Sequence, residues 1–297
     1  MAQTATTGNL EKAQKTIIAA ARYTEEHNAP AMALIESMSL PRGASTVTVP
    51  KVGQMSMSDL VDGQDIIDEE EIGMTTVDLT ASEVGAKIIL TDKLVRQMAM
   101  NVFSIIGRQL GDGMARKKDT DVHALYSGLN GGTTLGAAAA TMSLANIAGA
   151  IAYTKANKFG SQTYILQHPN AVFDIANTAV TASSTYPVPA GWSSDLLGNF
   201  FSGLRPLNGV PIFEDGNLSI DSSDDAVGVI ANKDALVVLN SVDTRTERQR
   251  DVSLRATEVV MTADYGVFEL DDTRGAPLTF DACLLYTSPS PRDRTRS

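Results

Sequence analysis

The sequence runs to 297 residues, 43% hydrophobic and 20% charged, enough apolar material for one large domain or two lobes with a real core. No stretch reaches the roughly 18 apolar residues that a membrane-spanning helix needs. The formal net charge is −11, which disfavours a dedicated DNA-binding role, because phosphate binding rests on Lys and Arg releasing counterions.

Three His and one Cys provision catalysis poorly. No basic segment followed by an apolar one opens the chain, so no signal peptide is expected and folding is assigned to the cytoplasm of the producing cell.

Residues 1–8 are small and polar and read as an arm. Asn9 is a helix cap, after which Leu10, Ala13, Ile17 and Ala20 or Ala21 recur at helical spacing. Pro30 interrupts this segment. A second short amphipathic piece, with Met32, Leu34, Ile35 and Met38, extends to Pro41.

Thr46-Val47-Thr48-Val49 alternates polar and apolar, a strand signal, and residues 75–90 again read as extended. Between them Gln54 to Met74 carries Asp59, Asp62, Asp65, Asp68, Glu69, Glu70 and Glu71 with no Lys or Arg. The pattern predicts a projecting hairpin over 46–91. At about 15 residues per strand it would reach ~50 Å and need another surface to lie on.

Residues 92–128 predict one long helix of about 55 Å. Asp92 sits near its start, and Leu94, Met98, Val102, Ile105, Ile106, Leu110 and Met114 form its apolar stripe. Gly107, Gly111 and Gly113 weaken it and place a kink or break near 111. Asn130 to Thr141 reads as a linker.

A helix from Leu144 to Ala152, a strand at Thr163 to Gln167, a helix at Asn170 to Thr178 and short strands at Gly209 to Phe213 and Val227 to Ala231 make a mixed α/β lobe. Pro187, Pro189 and Gly191 mark a long surface loop from Thr181 to Gly198. Four strands are expected over 235–282: Leu236 to Leu239, Leu254 to Met261, Gly266 to Leu270 and Leu278 to Phe280. They should form one antiparallel sheet packed on the long helix.

Cys283 to Asp293, CLLYTSPSPRD, resembles the translation of a transposase sequencing adaptor, with every codon matching; the plain alternative is a Ser/Pro/Arg-rich tail. On the adaptor reading, 283–297 is set aside as non-native. The lone Cys goes with it, three Arg and one Asp are lost, and the balance becomes 21 − 34 = −13. The native C-terminus is then undefined.

The order of these segments resembles the major capsid proteins of tailed bacteriophages. The segments that carry the resemblance are LPRGASTVTVPKVG leading into the hairpin, TYILQHPNAVFDI with His168-Pro169 at its join, GLRPLNGVPIFED, NKDALVVLNS and DYGVFELDDTRGA. No single motif is diagnostic; their order and spacing across roughly 40–282 are. The resemblance implies an α+β fold of named parts: an N-terminal arm over 1–45, an extended hairpin or E-loop over 46–91, a spine helix and its connection over 92–141, a mixed α/β axial domain over 142–232 and peripheral-domain strands over 233–282.

It also implies a structural role in the virion, not an enzyme. Copies would assemble in the host cytoplasm into hexamers and pentamers of an icosahedral shell enclosing double-stranded DNA. Scaffold, portal or decoration proteins are further possible partners, and no cofactor, metal or membrane is called for. The nearest rival is an encapsulin-like nanocompartment, which neighbouring genes would discriminate. A soluble enzyme or a tail or decoration protein fits less well.

Candidate sites each have a plainer reading. The acidic hairpin tip could dock on Arg245, Arg248 and Arg250, or on Arg116, Lys117 and Lys118, of a neighbour, or it could be a solvated loop. Glu69 to Glu71 could bind Ca²⁺, but adjacent carboxylates mostly repel. Asp215, Asn217 and Ser219 mimic the start of a calcium loop, which Ile220 and Ala226 argue against. Trp192 could anchor a contact or pack locally, and the Leu10 to Glu36 segment could bind a scaffold, a neighbour or its own subunit. His27, His123 and His168 have no ligand spacing. GLNGGTTLG at 128–136 lacks the Lys of a phosphate loop and reads as a flexible connection.

Overall fold

The computed structural model describes residues 30–52, 74–97, 102–160, 162–180 and 210–283. The chain divides into two compact units, Met1–Val122 with Asp234–Asp271 and His123–Lys233 with Asp272–Ser297.

The first unit is organised by two long strands, β9 (Leu236–Asp251) and β10 (Ala256–Glu269), paired antiparallel from Leu236↔Glu269 to Asp251↔Ala256. The pairing shifts register between Thr262 and Tyr265, a bulge that bends and twists the ladder locally. β4 (Ser82–Thr91) runs antiparallel along the far side of β10. β1 (Glu36–Ser39) pairs in parallel with the start of β9, giving the order β1-β9-β10-β4.

Three expectations change here. The piece expected to be helical up to Pro41 is a five-residue helix, α1 (Pro30–Leu34), followed at once by β1, because the unpaired edge of β9 offers hydrogen bonds that so short a helix cannot match. The single extended run over 75–90 is two strands, β3 (Met74–Thr80) and β4, serving different sheets. The short strands expected over 236–270 are the two long ones.

β2 (Thr46–Val52) and β3 form the predicted hairpin, in register from Thr46↔Thr80 to Val52↔Met74. Seven paired residues span only about 23 Å, and this root lies on its own unit. Leu79, Val237 and Leu239 are fully buried together, with Val47, Val49, Val77, Phe268 and Leu270 packed around them.

Over the predicted long helix the described residues are helical in α2 (Asp92–Gln97) and α3 (Val102–Tyr126), and residues 98–101 lie outside the described residues. α3 runs uninterrupted through Gly107, Gly111 and Gly113. Burial of Ile106, Leu110, Met114, Ala115 and Val122 outweighs a glycine penalty of about 1 kcal/mol each. The expected packing of this helix on the sheet is present: Tyr265 on β10 donates its hydroxyl to Asp121 at 2.8 Å.

The second unit holds a five-stranded mixed sheet, ordered β5 (Leu135–Gly136), β11 (Gly275–Asp281), β8 (Asp225–Asn232), β6 (Thr163–Gln167) and β7 (Ile212–Glu214). β11 was expected in one antiparallel sheet with the other strands of 235–282; instead it lies between β5 and β8. α4 (Leu144–Ala156), capped by the Ser143 hydroxyl, and α5 (Pro169–Val180) belong to this unit. Its core joins Ile147 and Ile151 of α4, Val172 and Ile175 of α5, and Ile165, Ile230, Leu278 and Phe280 of the sheet.

The Gly-rich stretch expected to be a flexible connection is pinned. Asn130 and Gly131 adopt positive φ in a 3₁₀ turn, the Asp272 carboxylate accepts the Gly131 N–H at 3.0 and 3.1 Å, and Asn130 Oδ1 accepts the Tyr153 hydroxyl.

Gly266 has no room for a side chain: an added Cβ would lie 2.2 Å from the Thr80 carbonyl oxygen. Gly266→Ala should therefore push the hairpin root off β10 and lower unfolding stability by about 1–3 kcal/mol, measurable by chemical denaturation.

Candidate assembly surfaces

The hairpin has a direction. Thr80 lies against Gly266, Val49 and Val77 share a cluster with Phe268 and Leu270, and Lys51 Nζ meets Asp271 at 2.7 Å. The hairpin therefore advances along β10 towards its C-terminal end, away from the β9–β10 turn. The acidic residues Asp59, Asp62, Asp65, Asp68, Glu69, Glu70 and Glu71 lie outside the described residues, as do Trp192 and most of the Leu10 to Glu36 segment.

The three β9 arginines do not form one patch. Strand alternation puts Arg245 on one face and Arg248 and Arg250 on the other. Arg245 donates to the Thr262 hydroxyl at 3.2 Å and stands 3.7 Å from Glu247. Arg250 forks onto both carboxylate oxygens of Asp92 at 2.5 and 2.7 Å, the bidentate geometry of a strong pair. The hydrogen bond from Arg250 lowers the Asp92 carboxyl from its ordinary value; desolvation opposes this, and the charges of Arg250, Arg96 and Arg255 add to the lowering.

On α3, Lys117 pairs with Asp121 at 2.6 Å, Lys118 stands over the Tyr265 ring at 5.5 Å, and Arg116 donates to the Asp112 carbonyl. Lys118 thus reaches from the helix to the sheet, whereas the Lys117 and Arg116 contacts lie within α3 itself.

The β9–β10 turn was not singled out by the sequence. Asp251 Oδ1 accepts from Ser253 N, Ser253 Oγ and Leu254 N, a local carboxylate turn. It presents Val252 at 77% and Leu254 at 57% exposure. The adjoining β4–α2 corner adds exposed Ile89 and Leu94, and Asp92 N donates to the Arg255 carbonyl. The corner is thus apolar side chains among Lys93, Arg96, Arg250 and Arg255.

In the second unit Asp215 is buried. Its Oδ2 accepts from His123 Nε2 at 3.0 Å, and its Oδ1 accepts the Asn217 N–H. The calcium-loop mimic is therefore an ordinary turn closed by a His–Asp pair. Among the described residues, no three His, Cys, Asp or Glu side chains converge as metal ligands.

The phage capsid protein family matches residues 74–277, more than half of the chain. The chain belongs to that family. Solved structures agree in fold. A chain of Mycobacterium phage Che8 superposes with a TM-score of 0.63 at 19% identity, over 80% of this chain and 85% of that one. The capsid of cyanophage P-SCSP1u gives 0.61 at 14% identity, over 83% and 86%. The mature capsid of bacteriophage PhiM1 gives 0.60 at 15% identity, over 82% and 85%. No curated protein sequence matches significantly.

For a capsid chain the useful distinction is between groups that hold the subunit together and groups left facing outward. Tyr265, Asp121 and Arg250 belong to the first kind, Val252 and Leu254 to the second. Exposed Val and Leu in a turn carry no periodicity, so the only sequence signal was the Asp-x-Ser spacing that builds the turn.

Tyr265→Phe should cost about 1.5–3 kcal/mol, one hydrogen bond to a carboxylate, read as a lower denaturation midpoint with the exposed turn unchanged.

Proposed function

We propose that this chain is a major capsid protein, many copies of which assemble into an icosahedral shell enclosing the double-stranded DNA of a tailed phage. The match of residues 74–277 to the phage capsid family carries this reading, and the fold likeness over four-fifths of the chain supports it. The chain acts as a shell subunit, not an enzyme. Its copies form hexamers and pentamers in the host cytoplasm, with scaffold, portal or decoration proteins as further partners.

In this reading 1–45 is the arm, 46–91 the E-loop, 92–141 the spine helix and its connection, 142–232 the axial domain and 233–282 the peripheral strands, with 283–297 non-native.

The acidic stretch 54–74 meets an adjacent copy. A segment the length of 53–73, held at both ends by β2 and β3, can extend no further than about 35 Å. It starts from the end of the sheet opposite the β9–β10 turn, and β10 alone spans about 46 Å at the same rise. The basic corner around Arg250, Arg255, Lys93 and Arg96 is thus beyond the reach of the subunit's own segment but open to a neighbour's. Charge complementarity favours that pairing and fixes register more than it adds affinity. Arg245 and Arg248 flank the same sheet, and Trp192 is a further contact anchor.

The chain ended at Ala282 should form closed polyhedral particles in electron micrographs, whereas a monomer under all conditions would remove the proposal. Reversing Asp68, Glu69, Glu70 and Glu71 to Lys should lower particle yield most at low salt, where charge is least screened. Unchanged assembly across a salt series would sink the docking role.

A further inference from the structure

α5 opens on an unusual cap. Its first free backbone donor is satisfied not by a hydroxyl or carboxylate but by an imidazole: Asn170 N donates to His168 Nδ1 at 3.1 Å. A backbone N–H can only donate, so Nδ1 must carry a lone pair and the ring must be neutral, with its proton on Nε2. The residue is clamped from both sides. His168 N donates to Gln167 Oε1 at 3.0 Å, and Gln167, fully buried, donates onward to the Ala226 and Leu278 carbonyls.

We propose that His168 is an acid-released cap: its neutral ring closes the first turn of α5 at neutral pH, and protonation opens it.

A proton on Nδ1 removes the acceptor that Asn170 uses. It also sets a cation beside the partly positive end of a twelve-residue helix. No acidic residue in the first turn of α5 offsets it. The charged group facing His168 from the neighbouring segment is Asp215, already engaged by His123 Nε2 and Asn217 N. Burial lowers the His168 value and outweighs the opposing pull of Asp215.

The sign follows. The folded value lies below the ordinary one near 6.5, so the stabilisation is complete above about pH 6.5 and is lost as pH falls through the lower folded value. Because α5 carries Phe173 at 51% exposure, opening its first turn re-aims an outward apolar side chain. The inference does not depend on the shell reading.

Amide hydrogen exchange of the full chain tests it, followed on peptides covering 165–176 and corrected for intrinsic rates. From about pH 7.5 to about pH 5, protection of Asn170 to Val172 should fall on the order of tenfold in the wild type, the scale of a lost cap. His168→Asn, which caps without titrating, should remove that pH dependence. Equal loss of protection in both chains overturns the proposal. So does a His168 ring in the wild-type chain that titrates above the ordinary value by NMR, a measurement that does not rely on the variant folding.

Discussion

The antiparallel ladder between β9 and β10 is the frame on which the first unit depends. Its inner end buries Val237 and Leu239 against Leu79, and that contact seats the hairpin. Its far side pairs with β4 for ten residues, and Tyr265 near its middle receives α3 through Asp121. Each partner of the ladder comes from a distant part of the chain. The ladder itself closes locally through residues 252–255, but docking those partners onto it is costly in loop-closure entropy and slow; once docked, several segments are held together.

The polarity of that frame gives the assembly surfaces their sense. One end of the sheet is apolar and internal, with Lys51 and Asp271 marking where the hairpin departs. The other end is a built turn with Val252 and Leu254 outward and Arg250 locked onto Asp92. Arg250 shows why charge counting alone misleads. A guanidinium forked onto its own subunit's carboxylate serves the fold first and adds less to a surface field than the cations around it.

The second unit spends its polar groups inward. Gln167 satisfies two carbonyls within the sheet and accepts from the next residue, Asp225 accepts the Ala139 N–H, and Asp272 fills the Gly-rich turn. That turn resembled a phosphate loop in composition because the same backbone donors serve any anion; here the anion is a side chain of the same unit.

Local pattern determined a good deal by itself. The helix after Ser143, the strand and helix around His168-Pro169, the α3 stripe and the alternation of Thr46 to Val49 were legible because each is set by side-chain period and turn chemistry within a few residues. The order of those segments sufficed to point to the capsid family. Tertiary structure alone decided that the extended run after Met74 splits at Ala81, that β11 leaves β10 for β8, and that Arg245 faces away from Arg250. It also made His123 and Asp215, 92 residues apart, a buried pair. Periodicity records which face of an element is apolar. It carries no information on which distant edge or charge completes it, because that choice is made by the summed burial and hydrogen bonding of the assembled chain.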